Sequence, residues 1–371
     1  MRVLYLSRTY TTHDRRFLEA IGAVHETWFA RIEDDGVVYE RRPLPEGVQA
    51  ATWEGGQGPV PSYDALLRLG PGLERLVTTL QPDIVHAGPV PTGAFLAALS
   101  GIGGPGGPPL VAMSWGSDLL LDAMADDGVG WAARYALQRA SRLVCDATAV
   151  RRAAAQLANV PDAQVVQFPW GIDTDHFRPG ADDGGIRSEL GWQETTVVIS
   201  TRSWAPIYGV DVALHAFARA HRERPDLRLL LVGDGPLAPV VDRIIDEEGL
   251  GSVVARPGRV GQERLAQLFR AADLYLSCAQ SDGTSISLLE AMGTGLPVVV
   301  TDVAGNREWV DAHVGRLAPA GDTEAFAAAL LDAAVRSCDA SRQVVLERAD
   351  WRRNVGALLD AYEQLAASHP G

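Results

Sequence analysis

Short aliphatic runs alternate with longer amphipathic stretches along the whole chain, and no other feature constrains its fold as much. RVLYLS, DIVHAG, PLVAMSW, RLVCDA and QVVQFP mark the first half; TVVISTR, LRLLLVGDG, VVARPG, DLYLSCA and LPVVVTD mark the second. Segments such as DVALHAFARAHRER and QERLAQLFRAA separate them with apolar residues at helical spacing. This alternation of strand and helix predicts parallel sheets covered on both faces. The scheme occurs twice, and 371 residues at 47% hydrophobic exceed what one core uses, so we expect an α/β protein of two Rossmann-like domains. PWGIDTDHFRPGADDGG is rich in Pro, Gly and Asp and lacks periodicity, which places the break near residues 170–185. The expected domains are 1–175 and 176–350, with 351–371 a terminal helix. Open parallel sheets bind ligands beyond the carboxyl ends of their strands, so the expected site is a crevice between two such edges. GIGGPGGPP, residues 101–109, reads as a surface turn.

The net charge of −14, with no run of basic residues longer than two, argues against a nucleic-acid backbone or an anionic membrane as partner. Cys145, Cys278 and Cys338 are far apart and form no C-x-x-C, so neither a disulfide framework nor a zinc site is expected, and a reducing cytoplasm fits. MRVLYLSRTY lacks a signal-peptide core, and no apolar stretch approaches the roughly 20 residues of a membrane span. All 33 basic residues are arginines. Any fixed cation must therefore come from Arg or a protonated His.

The segment SDGTSISLLEAMG raises the question of why a carboxylate stands in an apolar run. Asp282-Gly283 suits a turn, Ser285 a helix N-cap, and ISLLEAM a short buried helix ending at Gly293. Free amides at such a helix start attract an anion. Glu290 would lie about 7 Å further along the axis, at ~1.5 Å per residue, on the scale of the step from a phosphate to its ribose. A nucleotide with phosphates at the helix start would place its ribose hydroxyls near Glu290. The alternative is a Glu satisfied by neighbouring backbone or by an arginine.

DGTSISLLEAMGTGLPVVVTDVAGNREWV resembles the signature of family 4 glycosyltransferases, retaining nucleotide-sugar enzymes of the GT-B fold. PWGIDTDHFRP, TRSWAPIYGVDVALHAF and LRLLLVGDGP extend the resemblance upstream, and GRLAPAGDTEAFAAAL and WRRNVGALLDAYEQL downstream. In the first half it rests on DIVHAG, SWGSD and the strand order. The resemblance implies that Glu290 binds the ribose and that Asp282 takes the place of the first Glu of the family's pair. It further implies that Gly283, Thr284, Ser285 and Ile286 meet the sugar and diphosphate, and that Arg202 neutralises the diphosphate leaving group. Gly233, in the strand-end turn, and Arg259 and Val260, near the expected base pocket, complete the donor side.

Two positions depart from the family pattern. Tyr208 stands where the family has a Lys, and a neutral phenol donates a hydrogen bond but no charge. Trp115, Gly116, Ser117 and Asp118 stand where the family has His-Gly-Ser-Asp, so the His that contacts the donor sugar is missing. Arg259 or His86 is a candidate substitute. His13, Asp14 and Arg15 follow the first strand, so that His13, His86, Trp115 and Asp118 are the acceptor-side candidates, each with a structural role as the alternative. The usual glycine-rich loop after strand one is absent.

Other motifs lead elsewhere and are set aside. Asp173-Thr174-Asp175 spells the D-x-D of metal-dependent glycosyltransferases of another fold, but it lies in the linker, and no metal site is expected. Gly233-Asp234-Gly235 lacks the third glycine of a dinucleotide fingerprint, and neither G-x-S-x-G nor a P-loop is present. The reading is a retaining, metal-independent hexosyltransferase without cofactor. Its co-substrate is a nucleotide-diphosphate sugar, with UDP the commonest nucleotide in the family and GDP the next. Acidic residues outnumber arginines over 1–180, which favours a small soluble acceptor such as a natural product or aminocyclitol over an anionic membrane. The rivals are a nucleotide-sugar epimerase or hydrolase on the same scaffold, and a non-catalytic nucleotide-sugar-binding protein.

Overall fold

A computed structural model describes residues 1–333 and 339–368. Cys338 lies outside the described residues. The chain divides into two compact units, Met1–Phe168 together with the residues from Val355 on, and Pro169–Asn354. The changeovers thus fall at 168/169 and 354/355 rather than at 175/176 and 350/351. Segment 169–185 belongs wholly to the second unit, where Ile172 pairs with Asp350 and the Thr174 hydroxyl donates to Asp350 at 2.8 Å. Asp173 and Asp175 of the D-x-D both pair with Arg352, so an arginine occupies these carboxylates.

The first unit is built on seven strands: β1 (Arg2–Ser7), β2 (Glu26–Arg31), β3 (Val48–Ala50), β4 (Ile84–Gly88), β5 (Leu110–Met113), β6 (Arg142–Cys145) and β7 (Val165–Gln167). Their order is β3-β2-β1-β4-β5-β6-β7, every neighbour parallel. The second unit has β8 (Thr196–Ser200), β9 (Leu227–Val232), β10 (Val254–Gly258), β11 (Leu274–Ser277), β12 (Val298–Thr301) and β13 (Gly315–Ala318). Their order is β10-β9-β8-β11-β12-β13, again parallel throughout. Each sheet reverses its winding once, between β1 and β4 in the first unit and between β8 and β11 in the second. In open α/β sheets that is where the loops diverge and leave room for a ligand.

The strands read from sequence are all present. β2, β3 and β13 were not among them, for physical reasons. β2 carries charges at both ends, β3 is a three-residue, largely exposed edge, and β13 is four residues long. The central strands β4, β5, β11 and β12 are buried throughout, as expected when both faces of a parallel sheet are covered. The helix Gly356–Ser368 buries Leu358, Ala361, Tyr362 and Leu365, an i, i+3, i+4, i+7 stripe, and belongs to the first unit. Residues 101–107 form turns in which Gly101, Gly103 and Gly106 take positive φ. No described helix is long and apolar enough to cross a membrane.

Candidate functional site: an arginine at the strand switch point

In the second unit, β8 ends at Ser200 and its loop carries Arg202. The neighbouring β11 ends at Ser277, and its loop carries Asp282 to Ser285 into the helix Ile286–Gly293. The switch point therefore brings together residues 80 positions apart. Arg202 Nη2 donates to Asp282 Oδ1 at 3.0 Å, while Nη1 donates to Ser285 Oγ at 2.6 Å and Ser287 Oγ at 3.1 Å. Tyr275 Oη lies 2.8 Å from Ser287 Oγ, and the guanidinium sits 4.3 Å from the centre of the Tyr208 ring. Burial opposes the Arg202 charge, but Asp282, Tyr275 and Tyr208 outweigh it and hold the group above its ordinary pKa. Arg202 is thus a fixed, desolvated cation whose donors are already oriented.

Tyr208 supplies a π-face beneath that cation where the family has a second positive charge. Gln280 N–H donates to the Ile207 carbonyl at 2.8 Å and stitches the two loops together. Gly233, at the end of β9, holds φ +134°, and a Cβ there would lie 2.6 Å from the Arg202 carbonyl. Only glycine lets the β9 turn approach the arginine loop so closely.

Ser285 caps the helix as expected, accepting from Leu288 N–H. The helix ends at Gly293 as expected, and the left-handed residue just beyond it is Gly295, φ +86°. Glu290 is 6% exposed on this helix, and Thr284 is likewise buried. Ser287 and Tyr275 were not read from sequence as site residues; Ser287 stands two residues past the cap, and Tyr275 has the pattern of a core aromatic. Arg259 and Val260 follow the edge strand β10, two strands from β8. Arg259 is exposed and Val260 packs on the core, so neither is among the groups that meet Arg202. Cys278 is buried, and burial pushes its thiol well above the ordinary range, as expected of an inert side chain.

In the first unit, the helix Thr12–Gly22 begins with a capping box. Asp14 accepts from Thr11 N–H at 2.8 Å and from the Thr11 hydroxyl at 2.6 Å, and Tyr5 Oη donates to it at 3.2 Å. Asp14 is thus a buried helix cap, and Arg15 pairs along the helix with Glu19 at 3.0 Å. His13 stands 5.7 Å ring to ring from half-buried Trp115, and Phe17 packs edge-on against Trp115 at 6.2 Å. These two candidates, from the first turn of the helix after β1 and from the loop after β5, are brought together.

His86 and Asp118 are placed otherwise than expected. His86 lies inside β4, fully buried, with Nδ1 at 2.5 Å from Tyr362 Oη and Nε2 at 3.3 Å from Met113 Sδ. It fastens the terminal helix to the sheet and does not reach a ligand surface. Asp118 is 4% exposed and accepts from the Ser114 hydroxyl at 2.6 Å and Val90 N–H at 3.0 Å, tying the β4 and β5 loops together.

Burial drives these two groups in opposite directions on the pH scale. It pulls His86 from 6.5 down to about 3, so its contribution to stability is present above pH 6.5 and is lost as pH falls toward 3. It pushes Asp118 from 3.8 up to about 6, so its contribution is present below pH 3.8 and is lost as pH rises through 6. Between pH 6 and 4 the two slopes oppose each other, each at about 1.4 kcal/mol per pH unit. Asp118→Asn removes one of them. Urea unfolding of that variant should then lose about 3 kcal/mol more than the wild type between pH 6 and 4. Parallel curves for the two proteins would show that Asp118 does not hold its proton in the folded state over this range.

Two such sheets, each with its winding reversed once, define the GT-B fold. The sucrose-phosphate synthase of Thermosynechococcus elongatus superposes with a TM-score of 0.82, covering 100% of both chains at 16% identity. HepE from Anabaena, solved with UDP, gives 0.77 over 98% of this chain and 100% of its own at 18% identity. At these identities the likeness is one of fold. The family model described as Glycosyltransferase Family 4 matches residues 25–176, and that described as Glycosyl transferases group 1 matches 194–334. The chain belongs to this glycosyltransferase family. A D-inositol 3-phosphate glycosyltransferase of Saccharomonospora viridis is 32% identical over 227 residues, 57% of this chain and 52% of that protein. A phosphatidyl-myo-inositol mannosyltransferase of Mycobacterium tuberculosis is 32% identical over 221 residues, 56% of each. The chain thus spans about half the length of the curated relatives it matches.

Proposed function

We propose that the protein transfers a hexose, with retention of configuration and without a metal ion, from a nucleotide-diphosphate sugar to a small acceptor. The observation that carries this reading is Arg202, a desolvated guanidinium held at the β8/β11 switch point beside the N-terminus of the helix that bears buried Glu290. A diphosphate at that helix start would meet the cation and the free amides together, and Glu290 would accept hydrogen bonds from the ribose. In the reaction the bond from the sugar's anomeric carbon to the diphosphate breaks as the acceptor oxygen bonds to that carbon on the same face. The acceptor's proton passes to a departing phosphate oxygen. Arg202 stabilises the charge that develops on the diphosphate, and stabilisation of this kind is commonly the largest single contribution to such catalysis. Gly283, Thr284, Ser285, Ile286, Tyr208 and Gly233 complete the donor side in this reading; His13 and Trp115 serve the acceptor.

UDP is the proposed nucleotide, and GDP is the competitor to test, since one relative, from Mycolicibacterium smegmatis, is named as GDP-mannose-dependent. The relative named as a D-inositol 3-phosphate glycosyltransferase supports a small cyclitol as the acceptor class, within which we propose an aminocyclitol. Thermal unfolding with UDP, GDP, ADP and TDP tests the donor reading. A nucleotide at a hundred times its Kd stabilises by about 2.7 kcal/mol and should raise Tm by several degrees. The shift should appear with one nucleotide and vanish in Glu290→Ala. No shift with any of the four would defeat the donor assignment.

A further inference from the structure

The partner of Arg202 in the unliganded site is itself a carboxylate. Asp282 Oδ1 lies 3.0 Å from Nη2, and both side chains are largely buried, 13% and 14% exposed. The arginine's remaining bonds go to two hydroxyls, Ser285 and Ser287, and its ring neighbour is the aromatic face of Tyr208. The charged groups in contact around the guanidinium therefore sum to zero. A diphosphate arriving there would find one cation already paired with an anion.

Resting on the donor reading above, we propose that Asp282 is an internal counter-ion that competes with the donor's diphosphate for Arg202 and sets how tightly this site holds nucleotide diphosphates. Two like charges cannot both lie against one guanidinium edge in a desolvated loop at low cost. Diphosphate binding must therefore move Asp282 off Nη2, and that displacement is subtracted from every diphosphate's affinity. A nucleoside monophosphate with its single phosphate away from Nη2 carries less of the cost, and a nucleoside carries none. Asp282 thus discriminates by phosphate number and favours release of the product diphosphate. The small hydroxylated neighbours suit this role. Ser285 and Ser287 hold Nη1 on their own, so the arginine stays in place when Asp282 leaves.

Calorimetric titration of the full chain with UDP, UMP and uridine, and with the GDP series in parallel, tests the proposal on the wild type and Asp282→Asn. The amide keeps the size of the side chain and a carbonyl acceptor for Nη2 but removes the charge. Diphosphate binding should tighten by about tenfold in Asp282→Asn, monophosphate binding should tighten less, and nucleoside binding should stay the same. A merely structural Asp282 would give the opposite sign, since a disturbed loop weakens all three ligands. Asp282→Glu, which restores the charge, should bind the diphosphate no more tightly than the wild type. Diphosphate affinity equal or weaker in Asp282→Asn overturns the counter-ion proposal and leaves the donor reading standing. No diphosphate binding to any of the three proteins overturns both.

Discussion

Arg202→Ala is expected to lower kcat/KM for sugar transfer by at least about a hundredfold, the loss seen when one preorganised donor to a developing anion is removed from a desolvated site. The magnitude follows from the geometry. The guanidinium meets Asp282, Ser285 and Ser287 at once, so its position is fixed before any ligand arrives and little reorganisation is needed during the reaction. Loss of stabilisation specific to the transition state should appear in kcat with a smaller change in KM. Arg202→Lys should recover part of the activity. It keeps the charge but, as a compact ammonium, cannot span three partners in one plane. Initial rates at saturating donor, with far-ultraviolet circular dichroism confirming the fold of each variant, give the readout. Arg202→Ala within threefold of the wild type would remove the arginine from the chemistry and the proposed mechanism with it.

The sheets and the helix with Ser285 at its start were legible in the sequence because their signals are local. Aliphatic runs of four to six residues, a hydroxyl before an apolar stretch, and a 3.6-residue period each act within one element. What was not legible depended on which loops end up side by side. Nothing in the sequence couples Arg202 to Asp282, 80 positions away; the pair exists because β8 and β11 are neighbours in the sheet. His86 illustrates the same point in the other direction. DIVHAG places a histidine near a strand end, which suggests a ligand contact, but its partner Tyr362 is 276 residues further along on a helix that belongs to the same unit. Asp14 and Asp118 are similar cases: carboxylates just past strand ends that cap a helix and bind two loops. Arg259 was assigned to the donor side through the resemblance alone, and the edge position of β10 leaves it exposed.

Gly305→Ala should reduce transfer by about a hundredfold while leaving most of the fold intact, because the loop that carries Asp282 and Ser285 rests directly on this glycine. Gly305 lies in the helical turn Ala304–Arg307, and a Cβ built on it would fall 2.0 Å from the Gly283 carbonyl oxygen and 2.3 Å from that of Asp282. Both obstacles are backbone, so no flexible side-chain end can swing aside, and either the turn or the 282–283 loop must move. Overpacking of this kind costs about 1–3 kcal/mol. Asn306 resists movement of the turn, since it is buried and its Nδ2 donates to the Thr301 carbonyl at 2.8 Å. The displacement therefore passes to the loop, where a shift of about 1 Å is enough for the hundredfold loss when reacting groups are misplaced. Gly251→Ala is the control: it has open space around the added methyl and should change stability by less than about 0.5 kcal/mol. Rates measured well below the Tm of each protein separate misplacement from unfolding. If Gly305→Ala unfolds early yet transfers at the wild-type rate while folded, the loop accommodates the methyl and its position does not set the geometry of Arg202. If it stays folded and slow, the close approach of two backbones, rather than any side chain, is what holds the arginine's partners in place.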